Sequence, residues 1–249
     1  MVRVLVKRVL IVLSIVFLLS ASFMVFYAAP VPVDPGERGQ FMSEEEWQNY
    51  QESFKIFYLH LPIAITTYLA FGLLFVSSLI YLSLERRRID EGRHSRARLW
   101  DLRASSAGEV GVVFAVLTLI SGSIWAKSAW GVYWLWDLRL TTSLVLLLIY
   151  ISYFMVRHAI EEPERRARLS AVFGIIGFIC VPLSFLSIRL WRVHHPLVIG
   201  GSGGGISGTD VLLPLSLNFA AYITLAATLI LLRIENEARR DEIRELKIR

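Results

Sequence analysis

The 249-residue chain is poor in cysteine, in charge and in histidine. Its one cysteine, Cys180, excludes an internal disulfide and any CxxC redox motif. Placed in an apolar run, it reads as a small hydrophobe. Charged residues make up 19% of the chain against 55% hydrophobic ones, and the mean hydropathy is +0.56. That balance is too apolar for a soluble domain of this size and suits a bilayer as solvent. No HExxH accompanies the five histidines, and few carboxylates lie near them, which argues against a zinc site. The glycine tract from Gly200 to Gly205 lacks the GKS/T ending and the strand-to-helix setting of a phosphate cradle, and reads as a flexible loop. No general acid, base or nucleophile stands out, so the chain does not read as an enzyme.

What is present in quantity is long apolar sequence. Six runs approach or exceed the roughly 20 residues needed to cross hydrocarbon: Val9 to Ala29, Phe57 to Leu84, Val110 to Ala126, Leu140 to Val156, Leu169 to Ile188 and Val211 to Leu232. All predict helices, because a spanning segment must satisfy its backbone internally and no barrel-like alternation is visible. The expected fold is an all-α integral membrane protein of one domain with six transmembrane helices. The first run is too long for the core of a secretory signal and reads as a retained span.

The cations order these spans. Arg3, Lys7 and Arg8 precede the first; a cluster from Arg86 to Arg103 fills the second connection. Arg157, Arg165, Arg166 and Arg168 fill the fourth, and the tail at 233–249 is again basic. Six crossings put all of these on one side, which the positive-inside rule makes the cytoplasm of a cell whose inner membrane holds the chain, with both termini there. The net charge of +5 then sets topology and attracts anionic membrane lipid; it calls for no nucleic acid. Six cations are left on the outer face: Arg38, Lys55, Lys127, Arg139, Arg189 and Arg192. Positive charge on that face predicts a local anionic partner, a protein carboxylate or a ligand. Asp137 is a candidate partner for Arg139.

On the same face lies the stretch from Trp125 to Thr142, WAKSAWGVYWLWDLRLTT, with four of the seven tryptophans. An interfacial belt explains isolated tryptophans. It does not require Trp130, Trp134 and Trp136 so close to Asp137 and Arg139, whereas a platform for a flat aromatic ligand does. Before span two, Ser43 to Glu46 reads as a capping box opening a short amphipathic helix with Trp47, Tyr50 and Phe54. His60 falls in the first turn of span two, and His194 and His195 stand just beyond span five, so three of the five histidines share the tryptophan face; His94 and His158 fall among cytoplasmic arginines. Two imidazoles from separate helices, an aromatic shelf and cations suited to propionates fit a haem iron with axial histidines.

The motif WGxxWxWDxRxT, carried here by Trp130, Gly131, Trp134, Trp136, Asp137, Arg139 and Thr141, resembles the WWD signature of the haem-handling proteins of cytochrome c maturation. The six spans, the HLP beginning at His60 and the WRxxHP ending in His195 and Pro196 resemble the CcmC family in particular, over nearly the whole chain. The resemblance implies haem b held at the outer membrane face, with His60 and His195 as metal ligands. His194, an additional histidine at this point, keeps the choice within the pair open. It implies Trp130, Trp134 and Trp136, with Trp125 as a further contributor, as the haem platform, and Asp137 as the anchor of a WWD loop at 125–142. Lys127, Arg139, Arg189 and Arg192 would face the propionates. The implied partners are a periplasmic haem chaperone that receives the haem, ABC transporter subunits and a small membrane subunit. A b-type electron-transfer subunit working with quinone is the main rival; it would bury paired histidines along the spans, and none lies mid-span here. A haem permease is the second, against which the spans offer no Asp, Lys or Arg near their centres.

Overall fold

A computed structural model describes residues 2–29, 43–86, 91–190 and 209–248. Among them the chain is helical, without a strand: α1 Val2–Tyr27, α2 Glu44–Ser53, α3 Phe57–Arg86, α4 Glu91–Trp130, α5 Leu138–Ala159, α6 Pro163–Gly177, α7 Cys180–Leu190 and α8 Thr209–Ile248. Six helical segments are long and apolar enough to cross a membrane, as the hydropathy pattern predicts. The capping-box segment forms α2, which packs beside α4 with Trp47 buried.

Two elements depart from the expected spans. The third spanning helix, α4, runs 40 residues, about 60 Å at 1.5 Å per residue, where the hydropathy reading gives only 110–126. Its first turns carry Arg96, Arg98, Asp101 and Arg103, which break the apolar run in sequence but not the helix in space. Asp101 is 3% exposed and accepts Arg157 of α5 at 2.7 Å and Arg98 at 2.6 Å, so its buried charge is met by two arginines. The fifth span, expected as one run at 169–188, is two helices with a break at Phe178–Ile179. Pro182 accounts for it. Lacking an N–H, it cannot donate to the Phe178 carbonyl, and its ring would crowd that group. The Val181 N–H takes the Phe178 oxygen instead, at 2.9 Å, in a tighter turn. Pro182 then falls in the first turn of α7, where a missing donor costs little.

The core forms around α3, which packs along α4 and also meets α6 and α8; α1 lies against α8. Phe71 of α3 stacks on Tyr150 of α5 at 3.6 Å, and Phe75 on Phe178 at 4.3 Å. Helices approach closely where glycine leaves room. A Cβ at Gly111 would meet the Phe71 ring at 2.6 Å, and one at Gly174 would meet Leu74 at 2.6 Å.

The two ends of this bundle differ. At one end, ion pairs cross between helices: Lys7 with Glu235, Arg98 with Asp241, Arg157 with Asp101, and Arg233 with Glu109. At the other end lie the start of α3, the end of α4, the start of α5 and the tryptophans between them.

Candidate functional site

The aromatic end is shaped by how α4 stops and α5 starts. Gly131 adopts φ +77°, a left-handed conformation that favours glycine, and its N–H closes on the Lys127 carbonyl at 3.0 Å. The Lys127 ammonium returns to the Gly131 oxygen at 2.8 Å. Six residues on, Asp137 caps α5: its carboxylate accepts the Leu140 N–H at 2.7 Å and its carbonyl the Thr141 N–H at 3.0 Å. Ser123 of α4 donates to the Tyr133 carbonyl at 2.7 Å, which pins the loop back onto the helix that precedes it. The irregular segment is thus only 131–137. Trp125, Lys127 and Trp130 belong to the last turns of α4, and Arg139 and Thr141 to the first turn of α5.

Within this frame the tryptophans form two edge-to-face pairs. Trp125 and Trp130 are 4.9 Å apart at 70°, Trp134 and Trp136 5.7 Å apart at 77°. Because the rings of each pair stand nearly perpendicular, one ring of a pair at most can lie flat against a given planar ligand. Trp125 is buried at 7% exposure and supports Trp130 from below, whereas Trp136 is 77% exposed. Trp134 borders a shallow apolar cavity of about 360 Å³ with Leu119, Ile120, Ser123 and Ile124 of α4. Its indole N–H is buried without an acceptor among the described residues.

The candidate pairing of Asp137 with Arg139 does not occur. Asp137 is engaged as a cap, and Arg139 donates to the Ser184 carbonyl of α7 at 2.8 Å while its guanidinium lies 6.0 Å from the Tyr68 ring of α3. Ser184 Oγ meets Tyr68 Oη at 3.1 Å and Ser143 Oγ at 3.2 Å, so Arg139 joins three helices at one polar knot. Lys127 remains exposed, 5.5 Å from the Tyr133 ring.

His60 lies near the start of α3 and is turned towards α4, where its Nδ1 meets Ser121 Oγ at 2.9 Å. Ser121 is one helical turn before Trp125, so this hydrogen bond couples the histidine to the tryptophan-bearing end of α4. With Nδ1 engaged, Nε2 is the ring nitrogen left for a ligand. His158 lies at the opposite end and meets its own helix at the Phe154 carbonyl, at 2.7 Å, as a solvated helix-end residue does. No group of three or more His, Cys, Asp or Glu that could hold a metal ion exists among the described residues.

Arg192, His194 and His195 lie outside the described residues, as do Arg38 and the glycine tract at 200–205; of Arg189 the structure gives only its place near the end of α7. Ser121, Gly122, Ser123 and Ser184 were not singled out from sequence. Ser121 to Ser123 did leave a trace, a polar and small interruption in the apolar run at 110–126 just before Trp125.

Residues 4–249 match the sequence profile of the family described as heme exporter protein C. Heme exporter protein C of Bradyrhizobium diazoefficiens is 32% identical over 213 residues, covering 84% of this chain and 77% of its own. The protein of that name from Escherichia coli K12 is 30% identical over 207 residues, covering 80% and 78%. A putative cytochrome c biosynthesis ccmC-like mitochondrial protein of Marchantia polymorpha is 30% identical over 182 residues, covering 73% and 72%. With six helices fit to span a membrane, a match that runs almost from end to end, and the capped tryptophan loop in place, the chain is a multi-pass inner-membrane protein and belongs to the heme exporter protein C family.

Proposed function

We propose that the protein binds haem b at the outer face of the inner membrane and presents it to a periplasmic haem chaperone during cytochrome c maturation. It would do so beside ABC transporter subunits and a small membrane subunit. Family membership supports haem handling in cytochrome c maturation as the general role. The observation that carries the specific reading is that His60, held through Nδ1, stands at the same end of the bundle as the tryptophan loop.

The residues present suit a haem. His60 offers Nε2 as one axial ligand. Trp136, with Tyr133 beside Lys127, offers exposed aromatic surface, and the Trp134 N–H has no acceptor among the described residues. Lys127 is the exposed cation suited to a propionate; Arg139 acts first as the strut between α5, α3 and α7, and Arg189 and Arg192 follow on the α7 side. His195, or His194, supplies the second ligand from beyond α7. The iron would be the haem's contribution; the chain would supply the histidine ligands, orientation, stacking surface and charge. The excess of Lys and Arg at the other end makes that end cytoplasmic, with both termini.

The test is the visible spectrum of the detergent-purified protein, expressed with a haem supply, as wild type and as His60→Ala, His194→Ala and His195→Ala. The expected result is a low-spin bis-histidine spectrum that is lost in His60→Ala and His195→Ala and kept in His194→Ala. Haem retained in all three variants would place the iron elsewhere and make the tryptophan loop a docking surface instead.

A further inference from the structure

The Ser121 hydroxyl has one proton and three neighbours. Its oxygen lies 2.8 Å from the Leu117 carbonyl, 3.2 Å from the Thr118 carbonyl and 2.9 Å from His60 Nδ1. The two carbonyls of its own helix can only accept. A serine inside a helix ordinarily gives its proton to the carbonyl four residues back, and the Leu117 oxygen is at the shorter distance here. Of the three neighbours, only the imidazole can then bring a proton to the serine oxygen. That makes His60 the tautomer protonated on Nδ1, with its lone pair on Nε2.

The adjacent residue sets where the ring lies. A Cβ at position 122 would stand 3.0 Å from His60 Cε1, closer than side chains normally approach. Glycine there needs no unusual backbone, since residue 122 is within α4 and carries no positive φ. What position 122 supplies is room for the edge of the imidazole. The ring is thus fixed twice by consecutive residues of a neighbouring helix, once by a hydrogen bond and once by the surface of a missing side chain.

We infer that Ser121 and Gly122 form a positioning device that fixes the His60 tautomer and ring orientation, so that Nε2 is bare and aimed before iron arrives. The inference rests on the reading of His60 as an axial ligand only for its consequence; the tautomer is a property of the chain without haem. Neutral ligand histidines commonly donate their second N–H to a fixed acceptor, and loss of such an acceptor lowers metal affinity by roughly 10- to 100-fold. A device of this kind suits transfer, because a ring already ordered loses little freedom when the iron binds and regains little when it leaves.

The experiment uses the full-length protein in detergent. Histidine labelled with ¹⁵N reports the tautomer of His60 in the haem-free state by NMR, assigned by its loss in His60→Ala. Wild type is expected to show protonated Nδ1 and bare Nε2, Ser121→Thr to keep that pattern, and Ser121→Ala to show a mixture. A wild-type ring protonated on Nε2, or a Ser121→Ala ring unchanged from wild type, would overturn the inference. Titration with ferric haem then reads the consequence: affinity falls about 10- to 100-fold in Ser121→Ala, falls in Gly122→Ala, and is kept in Ser121→Thr. Gly122→Ala is the variant that a purely structural role would not weaken, because alanine favours the helix over glycine. Affinity unchanged in Ser121→Ala while His60→Ala loses haem would sink the device alone. Haem retained in His60→Ala would sink the ligand reading and leave the tautomer measurement to decide the device.

Discussion

The two ends of the bundle treat charge in opposite ways. At the basic end, cations meet carboxylates across helices: Arg157 of α5 joins Arg98 on Asp101 of α4, Arg98 also reaches Asp241, Arg233 holds Glu109, and Lys7 holds Glu235. Even the cleft of about 300 Å³ there has glutamates 109, 161 and 237 among its arginines. At the tryptophan end three charged groups of the loop and its flanks are held by neutral partners. Lys127 donates to the Gly131 carbonyl, Arg139 to the Ser184 carbonyl, and Asp137 accepts a backbone N–H. A carbonyl orients a cation without neutralising it. Among the described residues the basic end is therefore closed upon itself, while Lys127 and Arg139 at the tryptophan end keep their charge in fixed positions against backbone carbonyls.

That contrast can be broken at its strongest point first. Replacing Asp101 by Ala removes the carboxylate shared by two arginines and leaves the nearly buried Arg157, 11% exposed, without its partner. Loss of one member of a buried pair costs about 3–5 kcal/mol. Thermal unfolding in detergent should show a large drop, and variant protein still folded at low temperature should bind haem as wild type does. A variant of wild-type stability would mean that the basic end is not locked by these pairs.

A smaller effect is expected at the loop. Asp137→Ala removes the α5 cap, worth about 1 kcal/mol, and frees the loop from its second anchor. Stability should fall slightly, while haem content and delivery to a haem chaperone fall clearly. Both unchanged would remove Asp137 from the site. Smallest in stability is Trp136→Ala: at 77% exposure the substitution should stay within about 0.5 kcal/mol. Haem titration should nonetheless show weaker binding than in wild type, and equal affinity would show that this ring is not part of the platform.

The sequence made the fold legible wherever hydropathy speaks alone. The second run, Phe57 to Leu84, corresponds to α3 almost residue for residue, because its interior carries no charge. Hydropathy stopped short on α4, whose first turns are polar in composition; Asp101 there is buried against Arg157, a partner that only the folded chain brings to it. The break at Phe178–Ile179 was readable in principle, since Pro182 forbids the hydrogen bond that a continuous helix needs. At the site, spacing located the tryptophans and His60 but not their environment. Asp137 and Arg139 are two residues apart on the chain and opposite in charge, yet residues at that spacing do not face one another on a helix. Each found its partner in the backbone. Ser121 and Ser184 matter because of what α3 and α5 bring against them, and no local motif carries that information.

The central claim is that His60 is an axial ligand at the tryptophan end. It is tested most directly by His60→Gly, which removes the imidazole and leaves a gap against Gly122. Purified with its haem supply, the variant should lack the low-spin spectrum and regain it when free imidazole is added, as the small molecule fills the vacated position. A low-spin spectrum in His60→Gly without imidazole, unchanged from wild type, would contradict the account.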